Sequence, residues 1–448
     1  MPRHNTYFAI FLHIIFIGIT LGNSLRFGIP FLPERKIPLS FLDMCVFISG
    51  TIALICLLYS IVKRRYIIVP DSFKLIMIWL VLGILSLILI KVSINLEWHR
   101  MIYSLGYPCR IACCIFIAIM IINSVYNYAI IVSKMTIYYS LILVIIGFII
   151  YYKFPYLNSL WFLLRKYRIY FPDTDPHIYR MVSTFFDPNF LGAFIAFPIV
   201  YLVHIVAIGS KKEKLINWTI LLIIFRAFLL TFSRSAYLTL GLAILTLCII
   251  EFSSVRSSNR ISLLKNVAIF AGIAIICLCV EELLGGNTLS RIIQRWDIVS
   301  EGQTIEPSAA QRIKNWKIGL EIFYKHPIFG VGYNNYGNIA KDIGQPIKES
   351  QLFGNDSSWI LILATTGIVG LIVFLLAYIV FIVDLIKIFK CNLYEPYIRM
   401  ISSSLAAYLV GLAISTNFNN LLFYPPIICQ VFIIYAVIYP DMYSNKIY

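Results

Sequence analysis

Three short polar blocks hold side chains able to grip phosphate or move a proton. The first, Thr231-Phe232-Ser233-Arg234-Ser235-Ala236, stands between two apolar runs. A guanidinium in that setting is costly unless it snorkels, pairs or meets a ligand, and its planar fork suits phosphate oxygens. A structural anchor in a tight turn is the alternative reading of Arg234. The second block is Arg180 followed by Phe185-Phe186-Asp187-Pro188-Asn189. Asp187 or Asn189 can bind a ligand there, or can simply open the next helix, where capping and the helix dipole favour such residues. The third block, Asp356-Ser357-Ser358, precedes a long apolar run. Its carboxylate can cap that helix or act as a general base toward a hydroxyl. His177 and His326 have no partners at metal-ligand spacing, so no metal site is expected. P-loop and dinucleotide fingerprints are absent, so no cofactor is expected either.

A membrane must position these blocks. The chain is 60% hydrophobic with a mean hydropathy of +0.85, against ~45–50% apolar residues in soluble domains. An all-α polytopic membrane protein is therefore expected, with residues 1–448 as a single membrane domain. Apolar runs near 6–25, 40–62, 72–92, 101–124, 129–151, 189–209, 215–232, 235–252, 265–281, 357–386, 400–417 and 425–440 give about twelve spans. The basic connections Lys63-Arg64-Arg65, Lys211 to Lys214, Arg256 to Lys265 and Lys387 to Arg399 then share one side. The positive-inside rule makes that side cytoplasmic, together with both termini. The first run lacks a signal-peptidase exit and reads as a span. Most of the ten cysteines lie in apolar runs, without disulfide or zinc-finger spacing, and read as packing residues. The net charge of +16 suggests nucleic acid, but no soluble basic domain exists to hold it.

Two segments on the opposite face, 152–188 and 282–356, exceed what a connection requires, and long loops usually carry function. Both are basic, with Arg180 in the first and Arg291 and Arg312 in the second, which suggests an anionic ligand at the outer face. In the second loop, Pro307 and the capping-box pattern Ser308-x-x-Gln311 predict a helix start. Ile313, Trp316, Leu320 and Phe323 then form its apolar stripe, and His326-Pro327 ends it. Docking on the bundle accounts for that stripe. Ligand contact by Arg312 is the other reading.

The blocks, in this order, resemble the O-antigen polymerase and ligase superfamily, the Wzy/WaaL-like membrane proteins. Arg180 with F-F-D-P-N-F-L-G (185–192), T-F-S-R-S-A-Y-L (231–238), and R-I-K-N-W-K-I-G-L-E-I-F-Y-K-H-P-I-F-G-V-G-Y-N-N-Y (312–336) leading into D-S-S-W-I-L-I-L-A-T-T-G-I-V-G (356–370) carry the resemblance. The resemblance implies a GT-C-like glycosyltransferase of the bacterial inner membrane that uses undecaprenyl-diphosphate-linked oligosaccharide, with membrane lipid and a chain-length regulator protein as further partners. It makes Arg234 and Arg180 diphosphate-binding candidates and places Asp356 where ligases carry His. Arg291, Arg312, Asp187, Asn189, Ser357 and Tyr333 follow as substrate-binding candidates. Arg291 and Gly302 also fit the R-x10-G spacing associated with polymerases. The missing His points to a repeat-unit polymerase of O-antigen, capsule or exopolysaccharide, inverting and metal-independent. A ligase moving glycan to a lipid or protein is the near alternative. A lipid-linked oligosaccharide flippase is the alternative from another class, disfavoured because the polar residues gather at one face. Trp161, Trp296, Trp316 and Tyr333 can stack on sugars or anchor at the lipid interface.

Overall fold

A computed structural model describes residues 6–22, 26–30, 36–94, 98–124, 128–154, 179–206, 208–253, 260–283, 287–294, 299–300, 304–305, 307–344 and 354–439. The helices are α1 (Thr6–Leu21), α2 (Phe41–Val62), α3 (Asp71–Ile94), α4 (Trp98–Ile122), α5 (Ala129–Lys153), α6 (Pro188–Ile205), α7 (Lys211–Leu230), α8 (Arg234–Ser253) and α9 (Arg260–Leu283). After them come α10 (Thr288–Gln294), α11 (Pro307–Lys325), α12 (Tyr336–Asp342), α13 (Ser358–Lys390), α14 (Pro396–Ser415) and α15 (Pro425–Ile438). Each of the expected spans coincides with one of these helices. Nine are long and apolar enough to cross a bilayer among the described residues. Helices α1 and α15 are shorter, and α7 opens on Lys211, Lys212, Glu213 and Lys214. The chain is an all-α polytopic membrane protein. Two small antiparallel hairpins, Arg26–Pro30 with Lys36–Ser40 and Val299–Ser300 with Thr304–Ile305, are its described strands.

Helices α6 and α14 form the centre, buried along most of their length, and α8 packs against both. Small residues make that closeness available, since helices without a water-driven force associate through tight contact. A Cβ on Gly411 would lie 2.3 Å from the Thr239 carbonyl oxygen. A buried polar pin fixes the same three helices far from the sequence-predicted blocks. His204 Nε2 of α6 lies 3.0 Å from Glu251 Oε1 of α8, and His204 Nδ1 lies 3.1 Å from Ser404 Oγ of α14.

The apolar run at 357–386 hides a break. Within α13, Gly367 adopts φ +66 and ψ −168, outside helical geometry. The loop after α11 is stitched into that break. Val331 N and Gly332 N donate to the carbonyls of Ala364 and Thr365 at 3.0 and 2.7 Å, and Ile368 N donates to Pro327 O at 2.9 Å. Backbone groups freed by the break are thus satisfied by protein, as a membrane interior demands. Helix α3 holds the same loop: Tyr333 donates its hydroxyl to Trp79 O at 2.9 Å, and Ser86 Oγ bonds Phe329 O.

Glycine makes the stitch fit, because a Cβ on Gly330 (φ +68) would lie 2.5 Å from Thr365 C. Gly330→Ala adds a left-handed penalty of about 1–2 kcal/mol to that overlap. The variant is expected to lower the Tm of the detergent-solubilised protein. An unchanged Tm would mean that the stitch does not hold the loop.

Candidate active site

The second block folds into a strained knot that holds the first. Four of the six described non-glycine residues at positive φ are Tyr179, Ser183, Phe186 and Phe232, so the strain gathers here. Such strain persists only where surrounding contacts over-determine it, and it clusters at functional sites. Arg180 supplies those contacts. Its Nε donates to Thr231 O at 2.9 Å, and its Nη2 donates to Phe232 O at 3.4 Å and to Asn189 Oδ1 at 3.3 Å. The guanidinium therefore grips both carbonyls of the turn that delivers Arg234, the first residue of α8.

Asp187 is the N-cap of α6, accepting from Asn189 N at 2.6 Å and Phe190 N at 3.2 Å. Its carboxylate satisfies orphan amides at a positive helix end. Arg291, on α10, joins the knot from a distant part of the chain. It donates to Tyr179 O at 2.8 Å and lies over the Phe232 ring at 4.2 Å from the centroid. A clasp sets α10 in place: Arg226 of α7 makes two bonds to Glu281 of α9, at 2.6 and 2.7 Å, and Thr288 donates to Glu281 Oε1 at 2.5 Å. Arg226 and Glu281 were not singled out by sequence, since a lone charge near the end of an apolar run also reads as an interfacial anchor.

The third block settles the capping question. Ser357 is the N-cap of α13, its side chain accepting from Ile360 N. Asp356 is thereby excluded from that role. Its Oδ2 accepts from Asn315 Nδ2 at 2.6 Å instead. Burial pushes the Asp356 carboxyl above the usual aspartate range, and the nearby charge of Asp187 adds to the rise. The Asn315 hydrogen bond and the positive charge of Arg312 oppose it. Arg312 and Asp187 thus both lie within electrostatic reach of Asp356, which brings the second and third blocks together.

Helix α11 exists, with a start and a buried face that differ from expectation. It begins at Pro307, so Ser308 lies within the first turn, and Gln311 Nε2 bonds Asn315 Oδ1 at 3.0 Å. The expected apolar stripe is offset. Ile313 is exposed, while Asn315, Ile318, Gly319 and Ile322 are buried. Gly319 allows the approach of α13, because a Cβ there would lie 2.4 Å from Ile360 Cγ2. Asn315 is tolerated on the buried face because Asp356, Gln311, Asn355 and Tyr336 satisfy it. Hydrophobic periodicity could not find a polar residue whose burial depends on such partners.

The turn closing α14, Thr416-Asn417-Phe418-Asn419-Asn420, was also missed. Asn419 Nδ2 donates to Ser235 Oγ at 2.6 Å, and Asn420 Oδ1 accepts from Ser358 Oγ at 2.8 Å. The turn thus spans the N-termini of α8 and α13. Its signal was present as a run of polar residues between two apolar spans.

Tyr333 is corrected as a substrate contact. It is 2% exposed, packs edge-on against Trp79 at 5.3 Å and uses its hydroxyl on Trp79 O, so no face is left for a ligand. His177, Trp161, Trp296 and Gly302 lie outside the described residues, as does most of the 152–188 loop. No cluster of three or more metal-ligating side chains occurs among the described residues.

The assembled end of the bundle carries Arg180, Arg234, Arg291 and Arg312, the N-termini of α6, α8 and α13, and a carboxyl that is hard to ionise. Helix N-termini and arginines together favour an anion. Comparison with known families places residues 219–375, from within α7 to within α13, in a match to the Wzy_C family, described as O-antigen ligase. The resemblance to the O-antigen polymerase and ligase superfamily holds over this segment, which contains Arg234, Arg291, Arg312, Asn315 and Asp356. No curated protein matches the chain. The match supports O-antigen polymerase or ligase function in general for this multi-pass membrane protein.

Proposed function

We propose that the chain is a repeat-unit polymerase that extends a cell-surface polysaccharide at the outer face of the bacterial inner membrane. The observation that carries this reading is that Arg234, Arg291, three helix N-termini and Asp356 lie at one end of the bundle, with Arg312 and Asp187 within electrostatic reach of Asp356. The basic connection Lys63-Arg64-Arg65 and the basic ends Lys211 to Lys214 and Lys387 to Lys390 fall at the opposite end by helix direction, which supports a cytoplasmic placement for them.

An oligosaccharide linked to undecaprenyl diphosphate arrives already activated. Arg234 and Arg291 hold its diphosphate; Arg180, engaged with Thr231 O and Phe232 O, positions the turn that presents Arg234. An acceptor hydroxyl attacks the anomeric carbon from the face opposite the diphosphate. A new C–O bond forms as the anomeric C–O bond breaks. The bonding pair leaves on the diphosphate oxygen, where the guanidinium groups offset its charge. Asp356 takes the hydroxyl proton, and the product is inverted. In this reading Ser357 shapes the site as the cap of α13, while Arg312 tunes the charge of Asp356.

Asp356 in the place of the ligase His favours the polymerase over the ligase. Reconstitution with a synthetic lipid-diphosphate repeat unit, followed by product sizing, tests the choice. A ladder of many repeats is expected. Transfer of a single unit to a lipid or protein acceptor would establish the ligase, and movement of intact lipid-linked substrate without new bonds would establish the flippase.

A further inference from the structure

The polar chain across the site fixes which way three asparagine amides face. Ser233 Oγ donates its single proton to Asn189 Oδ1 at 2.7 Å. It can therefore only accept from Ser235, 3.1 Å away. Ser235, having used its own proton, accepts from Asn419 Nδ2 at 2.6 Å. The amide nitrogen of Asn419 must face inward, which leaves Oδ1 as an acceptor.

Asn420 faces the other way. Ser358 Oγ accepts from Leu422 N at 3.3 Å and meets Thr416 Oγ1 at 2.6 Å. Thr416 has a second acceptor in Asn419 O at 3.3 Å, but its single proton goes to the much nearer Ser358 Oγ, which leaves the Ser358 proton for Asn420 Oδ1 at 2.8 Å. The Asn420 NH2 group is left as a donor. Asn419 and Asn420 are both half-buried, and neither outward-facing atom has a partner among the described residues or is sealed from solvent. Asn189 similarly keeps its NH2, since Ser233 and Arg180 both bond its Oδ1.

We infer that Asn419 and Asn420 form a sugar-reading pair that sets the specificity of the site through neighbouring pyranose hydroxyls. An acceptor beside a donor matches two adjacent hydroxyls, each of which both gives and takes a hydrogen bond. A phosphate offers acceptors only, so the Asn419 carbonyl would repel it, and the pair is suited to the glycan rather than to the diphosphate. Phe418 lies beside the pair, half-buried and 6.2 Å from Trp316 between ring centroids, an apolar surface for sugar C–H groups. This assignment rests on the transferase reading above.

The test uses the full-length reconstituted protein, a synthetic lipid-diphosphate repeat unit, and analogues lacking one hydroxyl at a time. Wild type is expected to lose about tenfold in kcat/KM with at least one deoxy analogue, the scale of one good hydrogen bond. Asn420→Ala is expected to raise KM and to treat that analogue and the parent alike. Asn420→Asp keeps an oxygen for Ser358 but turns the outward donor into an acceptor. It is expected to keep its Tm and to lose the same discrimination, so the test survives if the alanine variant fails to fold. Variants of Asn419 and Asn420 that discriminate the deoxy analogues as wild type does would overturn the pair, even with kcat reduced, because the turn would then only tie α8 to α13. Absence of any transfer by wild type would overturn the transferase reading instead.

Discussion

Arg234→Ala is expected to abolish long-chain product while the protein stays in the membrane at normal levels. Arg234 opens α8 at a turn that Arg180 holds through two backbone carbonyls and that Arg291 covers through the Phe232 ring. That investment in one backbone position is hard to explain for a residue that merely faces lipid. Removing a donor aimed at developing transition-state charge costs about 10²–10³ in kcat. Arg234→Lys retains charge without the fork and should recover part of the loss. Product sizing by gel, with immunodetection of the membrane-bound protein, reads both outcomes. Wild-type chain lengths in the alanine variant would reduce Arg234 to a structural anchor.

Asp356→Asn is expected to cut turnover by about 10²–10⁴, the range for a lost general base, with a smaller effect on donor binding. The fold should survive. The amide oxygen of the substituted side chain can still accept from Asn315, and Ser357, not Asp356, caps α13. The sign of the titration supports this. Because burial raises the Asp356 carboxyl, the folded protein binds that proton more tightly than the unfolded chain. The resulting stabilisation is present below the ordinary aspartate range and is lost as pH rises through the raised value. Above that raised value the ionised carboxylate is unfavourable in its buried setting, and the amide variant should be no less stable than wild type. Activity runs the opposite way, rising as the carboxyl ionises. The acidic limb of the pH profile should lie above the usual ~3.9 of aspartate and should disappear in Asp356→Asn. Unchanged turnover, or a limb that persists in the variant, would remove Asp356 from the chemistry.

Much of the architecture was legible without coordinates, because lipid imposes one rule on every span. Backbone polar groups must be satisfied within the segment, so length and apolarity alone mark the helices. Break points were less legible. Gly367 interrupts α13 inside an unbroken apolar run, and the loop around Gly330 that fills the gap comes from a separate segment.

The site divides in the same way. Sequence identified Arg180, Arg234 and Asp356 as chemically able groups, and left open whether each was a cap, an anchor or a ligand contact. Those alternatives depend on what lies opposite, and only tertiary structure supplies that. It made Asp187 and Ser357 the caps and freed Asp356, and it buried Tyr333 against Trp79. It also brought in Asn315, Asn419 and Asn420, polar residues that a hydrophobic pattern reads as surface. By itself the sequence determined that this is a helical membrane protein with its chemically able side chains near the helix ends, since the bilayer acts on each segment separately. Which of those ends meet, and which way their amides face, was decided by packing between segments far apart in the chain, which no local pattern encodes.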